Sequence, residues 1–495
     1  MVWPARRCIT KIACCPNLVF NALITSYMKN NIFLSLLLLA FAPCLTATAQ
    51  PLYPVANLLF NWKDTTLAPS AYYNNTYNEV WGFVQNGREY AVIGSTAGTH
   101  IFDVTDPVNA YQADFVPGAF TGPYVVHRDY DSYNGFLYMV CDEGNSTLQI
   151  ADLRYLPDSV HVVYDSDALF MRSHNVFVDT ATAKLYACIT KHTNETLHGL
   201  EVFDLQDPTN PQFLADYNLR AHDVYVQNDT VYLSGEGNGF FIVDFTNVNS
   251  PQIIGSLTDY AAYGQGYNHS GWITQDGNFF VFADENHGLP MKMVRIDNLS
   301  DIQVVSTISS DIDPNSIPHN QIIRGNYLYV SYYHDGLQVF DVSDPYNPFK
   351  VCQYKTYLPT DHDSYRGAWG VYPYLPSGHI LVSDMQYGLF VLDVGLLPEY
   401  PAGIANEGQN PVQWSVFPSV FTGNQLNITT RNAALLPFTT QVYNSAGQLL
   451  VNQSFSQPAT HGVQQLVLPP TLPAGCFIVK IASANGVFTT KVIKM

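Results

Sequence analysis

A chain of 495 residues is too long for one ordinary domain, and with 47% hydrophobic residues it can bury a sizeable core. Charged residues make up only 13%, while 33 Tyr, 28 Phe, 32 Gly and 30 Pro are spread along the chain, a mixture suited to many short strands joined by tight turns. The formal charge of −19 excludes nucleic acid and anionic lipid heads as favoured partners.

Met28-Lys29-Asn30-Asn31 is a short basic start to an apolar run over residues 32–42, and Thr46-Ala47-Thr48-Ala49-Gln50 supplies small residues at the cleavage positions. This order predicts a secretory signal peptide within residues 1–50, with Met28 as the start. The apolar run is too short to span a membrane, and no transmembrane segment is expected in the mature chain. Cys8, Cys14, Cys15 and Cys44 leave with the signal. Cys141, Cys188, Cys352 and Cys476 remain, far apart and without metal-ligand spacing. Export permits a Cys141–Cys188 disulfide, and the other reading makes all four small buried hydrophobes.

From residue 51 to 397 a short apolar run ending in Asp recurs seven times, at Asp103, Asp152, Asp204, Asp244, Asp297, Asp341 and Asp393. Turns such as Asp106-Pro107 and Asp344-Pro345-Tyr346-Asn347-Pro348 follow several of them, and Pro there must stop the strand. Two strands precede each run and one follows the turn, which gives four per period of about 40–50 residues, the signature of a propeller blade. The seventh run has no fourth strand after it. Asn57-Leu58-Leu59-Phe60-Asn61-Trp62 stands alone ahead of the first repeat, and pairing it with the seventh would remove an exposed sheet edge. The predicted fold is therefore all-β: a seven-bladed propeller closed by the strand at 57–62.

Residues 398–412 read as a linker, and the pattern over 413–495 becomes β again. Gln441-Val442-Tyr443-Asn444-Ser445-Ala446-Gly447-Gln448-Leu449-Leu450 predicts a hairpin, and residues 472–481 with 487–494 a second strand pair. Val416-Phe417-Pro418-Ser419, the Tyr-Asn-x-x-Gly-Gln turn, Leu472-Pro473-Ala474-Gly475 and Lys491-Val492-Ile493-Lys494 together resemble the sorting domain of the type IX secretion system. Phe-Pro-Ser stands here in place of the usual Pro-Asn-Pro. The resemblance implies a small β-sandwich read by the secretion machinery of Bacteroidota, and an extracellular or outer-membrane-surface location.

The repeat region also resembles a family. Tyr77-Asn78-Glu79-Val80-Trp81-Gly82-Phe83, His174-Asn175-Val176-Phe177-Val178-Asp179, His269-Ser270-Gly271-Trp272 and Gly367-Ala368-Trp369-Gly370-Val371-Tyr372 look like the choice-of-anchor B family of LVIVD-repeat propellers. That resemblance implies architecture and location and brings no reaction with it.

One constellation could carry chemistry. His127, His174, His222, His269 and His319 are spaced by 47, 48, 47 and 50, each at the start of a blade's first strand. Trp369 holds the same place in the seventh blade, and Trp81 or Val80 is expected to hold it in the first. The turns between second and third strands bring Glu143, Glu236, Asp284, Glu285, Asp335 and Asp384 toward the same face. Imidazoles and carboxylates around one channel mouth suit a divalent first-row transition metal. The alternative is structural: a residue repeated in every unit is first a repeat-building residue, here tying one blade to the next. The repeated Asp residues are expected to cap the turns that follow them.

Two functions follow. One is a binding module presenting its loops to an extracellular protein or glycan, with no cofactor. The other is a metal-dependent hydrolase or oxidoreductase, with the five histidines as ligands and Glu143, Glu236 or Glu285 as acid/base. The sequence contains no nucleophile elbow, phosphate loop, dinucleotide fingerprint or His-Glu-x-x-His.

Overall fold

The computed structural model describes residues 53–395, 414–417, 420–421, 423–430, 437–444, 448–456, 463–483 and 486–494. The expected signal peptide and linker lie outside the described residues, as do residues 418–419 and the turn at 445–447.

Runs rich in Val, Ile, Tyr and Phe, punctuated by Gly, Asn and Asp, form seven four-stranded antiparallel sheets between Asn57 and Asp393. The first sheet runs Tyr77–Gln85, Arg88–Ser95, Gly98–Asp103 and Tyr111–Pro117 in sequential order. Five more meanders begin at Arg128–Tyr133, Asn175–Asp179, Asp223–Gln227, Asn268–Ile273 and Pro318–Arg324. The seventh sheet takes three strands from the end of the repeat region, Ala368–Tyr372, Ile380–Asp384 and Gly388–Asp393. Its fourth is Asn57–Trp62, antiparallel to Gly388–Asp393. Each first strand touches the first strand of the next sheet, and that of the seventh touches that of the first. The arrangement is propeller-like, and pairing of the two ends leaves the seventh sheet no unpaired third strand.

Six of the seven repeated Asp side chains do one job. Asp103, Asp152, Asp204, Asp244, Asp341 and Asp393 end third strands, and their Oδ1 atoms accept the backbone N–H two residues on, at 2.7–3.1 Å. The bond satisfies a donor that has left the ladder and sets the turn. All seven pairings of a third with a fourth strand shift register at the same place, as between Ile101 and Phe102 or Val339 and Phe340. Such a bulge adds right-handed twist, which each sheet needs to pack face to face on its neighbours. The cores lie between sheets: Tyr138, Val140 and Ile150 of the second pack with Val176, Leu185 and Phe203 of the third. Cys141 and Cys188 are buried free thiols, each in the second strand of its own sheet.

Toward the C-terminus Trp414–Phe417, Gln425–Thr430 and Val463–Val467 form a three-stranded sheet. Val420–Phe421, Gly486–Lys494, Gly475–Ser483, Phe438–Asn444 and Leu449–Phe455 form a five-stranded one. One apolar cluster draws Leu426, Ile428 and Leu466 from the first and Val442, Val479 and Ile481 from the second. Among the described residues no helix is long and apolar enough to cross a membrane.

Candidate functional site

Every first strand begins near the centre of the ring, so a residue at its start meets its counterparts from the neighbouring sheets. The imidazoles of His127, His174, His222, His269 and His319 follow one another with ring centroids 4.2–4.5 Å apart. Trp369 lies 4.5 Å from His319 and 5.3 Å from His127, which closes a circle of six aromatic rings. The rings therefore face one another across the mouth rather than outward between sheets.

The seventh place differs from the sequence expectation. The ladder of the first sheet pairs Tyr77 with Ser95 and then shifts register before Val80, as Ala368 pairs with Asp384 before the shift to Val371. Asn78, not Trp81 or Val80, is thus the counterpart of Trp369. Trp81 stands three residues further along the strand, where its ring meets Tyr372 at 5.0 Å and its Nε1–H donates to Ser132. It belongs to an aromatic layer at the other end of the channel, with Tyr374, Trp272 and Tyr225.

Hydrogen bonds fix the imidazole tautomers. Nδ1 of His222 donates to the carbonyl of His269 at 3.0 Å, and Nδ1 of His319 to that of Trp369 at 2.5 Å. His269 reaches the next strand through Ser270, whose hydroxyl donates to the carbonyl of His319 at 2.7 Å. These bonds tie neighbouring sheets together, and in His222 and His319 they leave Nε2 as the lone-pair nitrogen, the form that ligates a metal. Burial pushes His127, His222 and His269 well below the usual histidine range and His319 down to about 3, so these rings stay neutral. Burial opposes charge on His174 too, but the Asp142 carboxylate 2.8 Å from its Nδ1 outweighs it and raises the pKa.

The carboxylates expected at the mouth divide into two groups. Glu143 accepts the backbone N–H groups of Val126 and His127, Glu236 accepts from Arg220 and the Tyr267 hydroxyl, and Glu285 accepts from the Tyr333 hydroxyl. Glu285 also lies 3.6 Å from His269 Nε2. Asp284, Asp335 and Asp384 are committed elsewhere. Asp284 is fully buried against Lys292 and the Tyr260 hydroxyl, Asp335 takes the Ser310 and Ser316 hydroxyls and His362, and Asp384 caps Gln386 and Tyr387.

Four acids absent from the sequence-based site line the channel just inside the ring: Glu79, Asp129, Asp131 and Asp223. Burial lifts Glu79 to about 8 and Asp131 and Asp223 to about 7, and burial reinforced by Glu79 lifts Asp129 well above the carboxylate range. Asp129 and Asp131 accept the backbone N–H groups of Val176 and Val178, both at 2.7 Å, stitching the second sheet to the third. Glu79 accepts from Asn320 across the channel, and a Cβ on Gly370 would lie 1.9 Å from its Oε1, so only glycine leaves the carboxylate room. In sequence these acids read as ordinary polar residues of alternating strands. The signal that could have found Asp129, Asp131 and Asp223 is their place one to four residues after the repeated histidine, whereas Glu79 follows Asn78 and carries no such mark.

The cavity they line holds ≈ 70 Å³, enough for water or an ion and far below the several hundred Å³ of a small-molecule site. Ligand atoms of His127, Asp142 and His174 lie within 4.8 Å of one another, as do those of His269, Glu285 and His319. Mixed imidazole and carboxylate donors fit a first-row divalent metal.

A model of the LVIVD repeat matches residues 220–259 and 321–356. These two stretches are the fourth sheet and most of the sixth, so the sequence repeat and the four-stranded sheet are one unit. Among solved structures, the chain is similar to the C-terminal WD40 domain of Sif2, with a TM-score of 0.45 at 8% identity over 70% of this chain and 100% of that one. It is also similar to the beta-propeller domain of Myceliophteria thermophila Cps50 (Swd1), with a TM-score of 0.44 at 10% identity over 68% of this chain and 98% of that one. No curated protein matches the sequence.

Proposed function

We propose that this chain is an exported seven-bladed β-propeller of the choice-of-anchor B type, addressed to type IX secretion by a C-terminal β-sandwich and acting outside the cell as a binding module. The observation that carries the binding reading is a set of tyrosines on the loops leading into the first strands, the side of the histidine ring. Tyr72, Tyr73, Tyr124 and Tyr263 are 67%, 40%, 58% and 45% exposed. Tyr73 meets Tyr365, which meets Tyr333 and so reaches the ring itself. Exposed tyrosines offer large apolar area with a polar tip at low entropic cost, which suits recognition of a protein or glycan.

The test is binding of the mature chain to a panel of glycans and outer-surface proteins, beside a Tyr72→Ser/Tyr73→Ser/Tyr124→Ser variant. Binding weakened about tenfold or more in a folded variant supports the reading, and binding that ignores all three tyrosines removes it. Export is tested by comparing the full chain with one ending at residue 397 in a bacterium with type IX secretion. The first is expected at the surface or in the medium and the second in the periplasm.

The inward-facing ring favours a second reading, a metal-dependent site at the mouth. Metal content of the wild type and of a His174→Ala/His222→Ala/His269→Ala variant decides it. A stoichiometric metal lost in the variant makes the mouth a metal centre with Glu143, Glu236 and Glu285 beside it; a metal-free wild type leaves the ring as cement between blades.

A further inference from the structure

The third sheet departs from the other six. Its second and third strands, Lys184–Lys191 and Leu197–Asp204, run eight residues each and carry their hairpin beyond the body of the sheet. Other third strands have five or six residues. Two metal-ligating side chains, His192 and His198, stand on this extension, and a third, Glu201, in the strand just below it. His192 Nε2 lies 2.9 and 3.1 Å from the two carboxylate oxygens of Glu201, the His192 and His198 rings are 4.8 Å apart, and the ligand atoms of all three fall within 4.8 Å of one another.

The surroundings are those of a prepared site. Glu201 is 1% exposed, oriented by the Thr190 hydroxyl, and comes from a strand interior where an acid is costly without a partner. Asp216 on the neighbouring strand accepts from His198 Nδ1 at 3.1 Å, the carboxylate–histidine relay that orients zinc ligands. Nε2, 3.4 Å from the exposed Thr196 hydroxyl, is then the nitrogen that can ligate by giving up that long contact. Ile189, a β-branched residue, is held at φ 47° between the ladder pairs Cys188–Leu200 and Thr190–His198. A left-handed isoleucine is strained and needs enforcement by its neighbours. A cleft of ≈ 330 Å³ opens beside the cluster, lined by Ala168, Leu169, Phe203 and Phe213.

We propose that His192, His198 and Glu201 form a divalent metal site, of the zinc class, whose remaining coordination position faces this apolar cleft. Two imidazoles and one carboxylate are a three-ligand set that leaves a fourth position for water or a ligand donor. A ligand with a metal-binding head and an apolar body would fill both. The site is separate from the channel mouth, and no repeat-building role accounts for its two histidines, because His192 and His198 belong to the hairpin extension of one sheet.

Cobalt(II) titrated into the mature full-length chain and followed by visible absorption tests the proposal. The wild type is expected to bind one equivalent with the intense bands of tetrahedral Co(II), displaced by zinc. His192→Ala/His198→Ala should lose that equivalent, while His174→Ala/His222→Ala/His269→Ala at the mouth should keep it. Asp216→Asn should weaken binding about 10–100-fold. Circular dichroism of the apo proteins checks folding, and His198→Gln, at a position 26% exposed, serves if the double variant misfolds. Cobalt stoichiometry and spectrum unchanged in a folded His198→Gln or double variant would overturn the proposal, as would a wild type that binds no cobalt.

Discussion

His222 stands in a place that recurs around the ring, and its Nδ1 holds the carbonyl of the next sheet's histidine. His198 stands on a hairpin extension of the third sheet alone, and its Nδ1 meets an aspartate at the surface. One imidazole is shared by the repeat and explained first by building it, whereas the other was added to one unit and needs a separate reason. Repetition in a propeller thus separates architecture from chemistry more sharply than residue type does.

That separation can be broken or sharpened experimentally. Deleting residues 53–62 removes the fourth strand of the seventh sheet, and its loss is expected to abolish a single cooperative unfolding transition, read by calorimetry. Gly370→Ala places a methyl where the Glu79 carboxylate lies, and destabilisation of about 1–3 kcal/mol or more is expected in urea. His319→Ala removes one of two donors to the Trp369 carbonyl, which keeps the Ser331 hydroxyl, and empties a buried position, so about 1–3 kcal/mol of destabilisation is expected. Equal tolerance of His319→Ala and His198→Gln in the apo protein would remove the distinction between shared and added histidines.

Stability should also depend on pH in a way set by the channel. Glu79, Asp131 and Asp223 have folded pKa values above their unfolded ones, so the folded state holds the extra protons. Their contribution is complete below about pH 4 and is lost as pH rises through about 7 to 8. The neutral histidines act oppositely: their contribution is present above about 6.5 and lost as pH falls toward the folded value of about 3 for His319. Above pH 6.5 the carboxyls and His174, whose pKa is also raised, act in the same direction, and stability from urea unfolding should fall between pH 6.5 and 8.5 by about 1 kcal/mol or more per unit. Glu79→Gln should flatten that fall, and an unchanged slope would remove Glu79 from the cause. The smallest effect expected is His198→Gln without metal, within about 0.5 kcal/mol of wild type by urea unfolding.

Much of the ring was legible because repetition multiplies weak signals. The Asp after each apolar run marks a third strand, and the repeated histidine marks a first, so errors in one unit are corrected by the others. Where a unit departs from the repeat, legibility fails. The register shift between Tyr77 and Val80 hides Asn78 as the counterpart of Trp369 and makes Trp81 the apparent one. The cluster on the third sheet needs Asp216 from a different strand, and its His-x5-His-x2-Glu spacing matches neither a helix face nor a strand face. The left-handed backbone of Ile189, on the strand facing His198 and Glu201, is a further local departure that periodicity does not show.

The seam between Asn57–Trp62 and Gly388–Asp393 also imposes an order in time. Asn61 Nδ2 donates to the carbonyl of Leu389, 328 residues later, so the first strand made is the last to find its place. Bringing such distant segments together costs on the order of 5 kcal/mol in chain entropy, and contacts this non-local fold slowly. Until residue 393 has emerged, the seventh sheet lacks the strand to which the first must dock. Any partly made chain is therefore an open crescent of sheets, and the circle closes only once residues 57–62 and 388–393 are both free to meet.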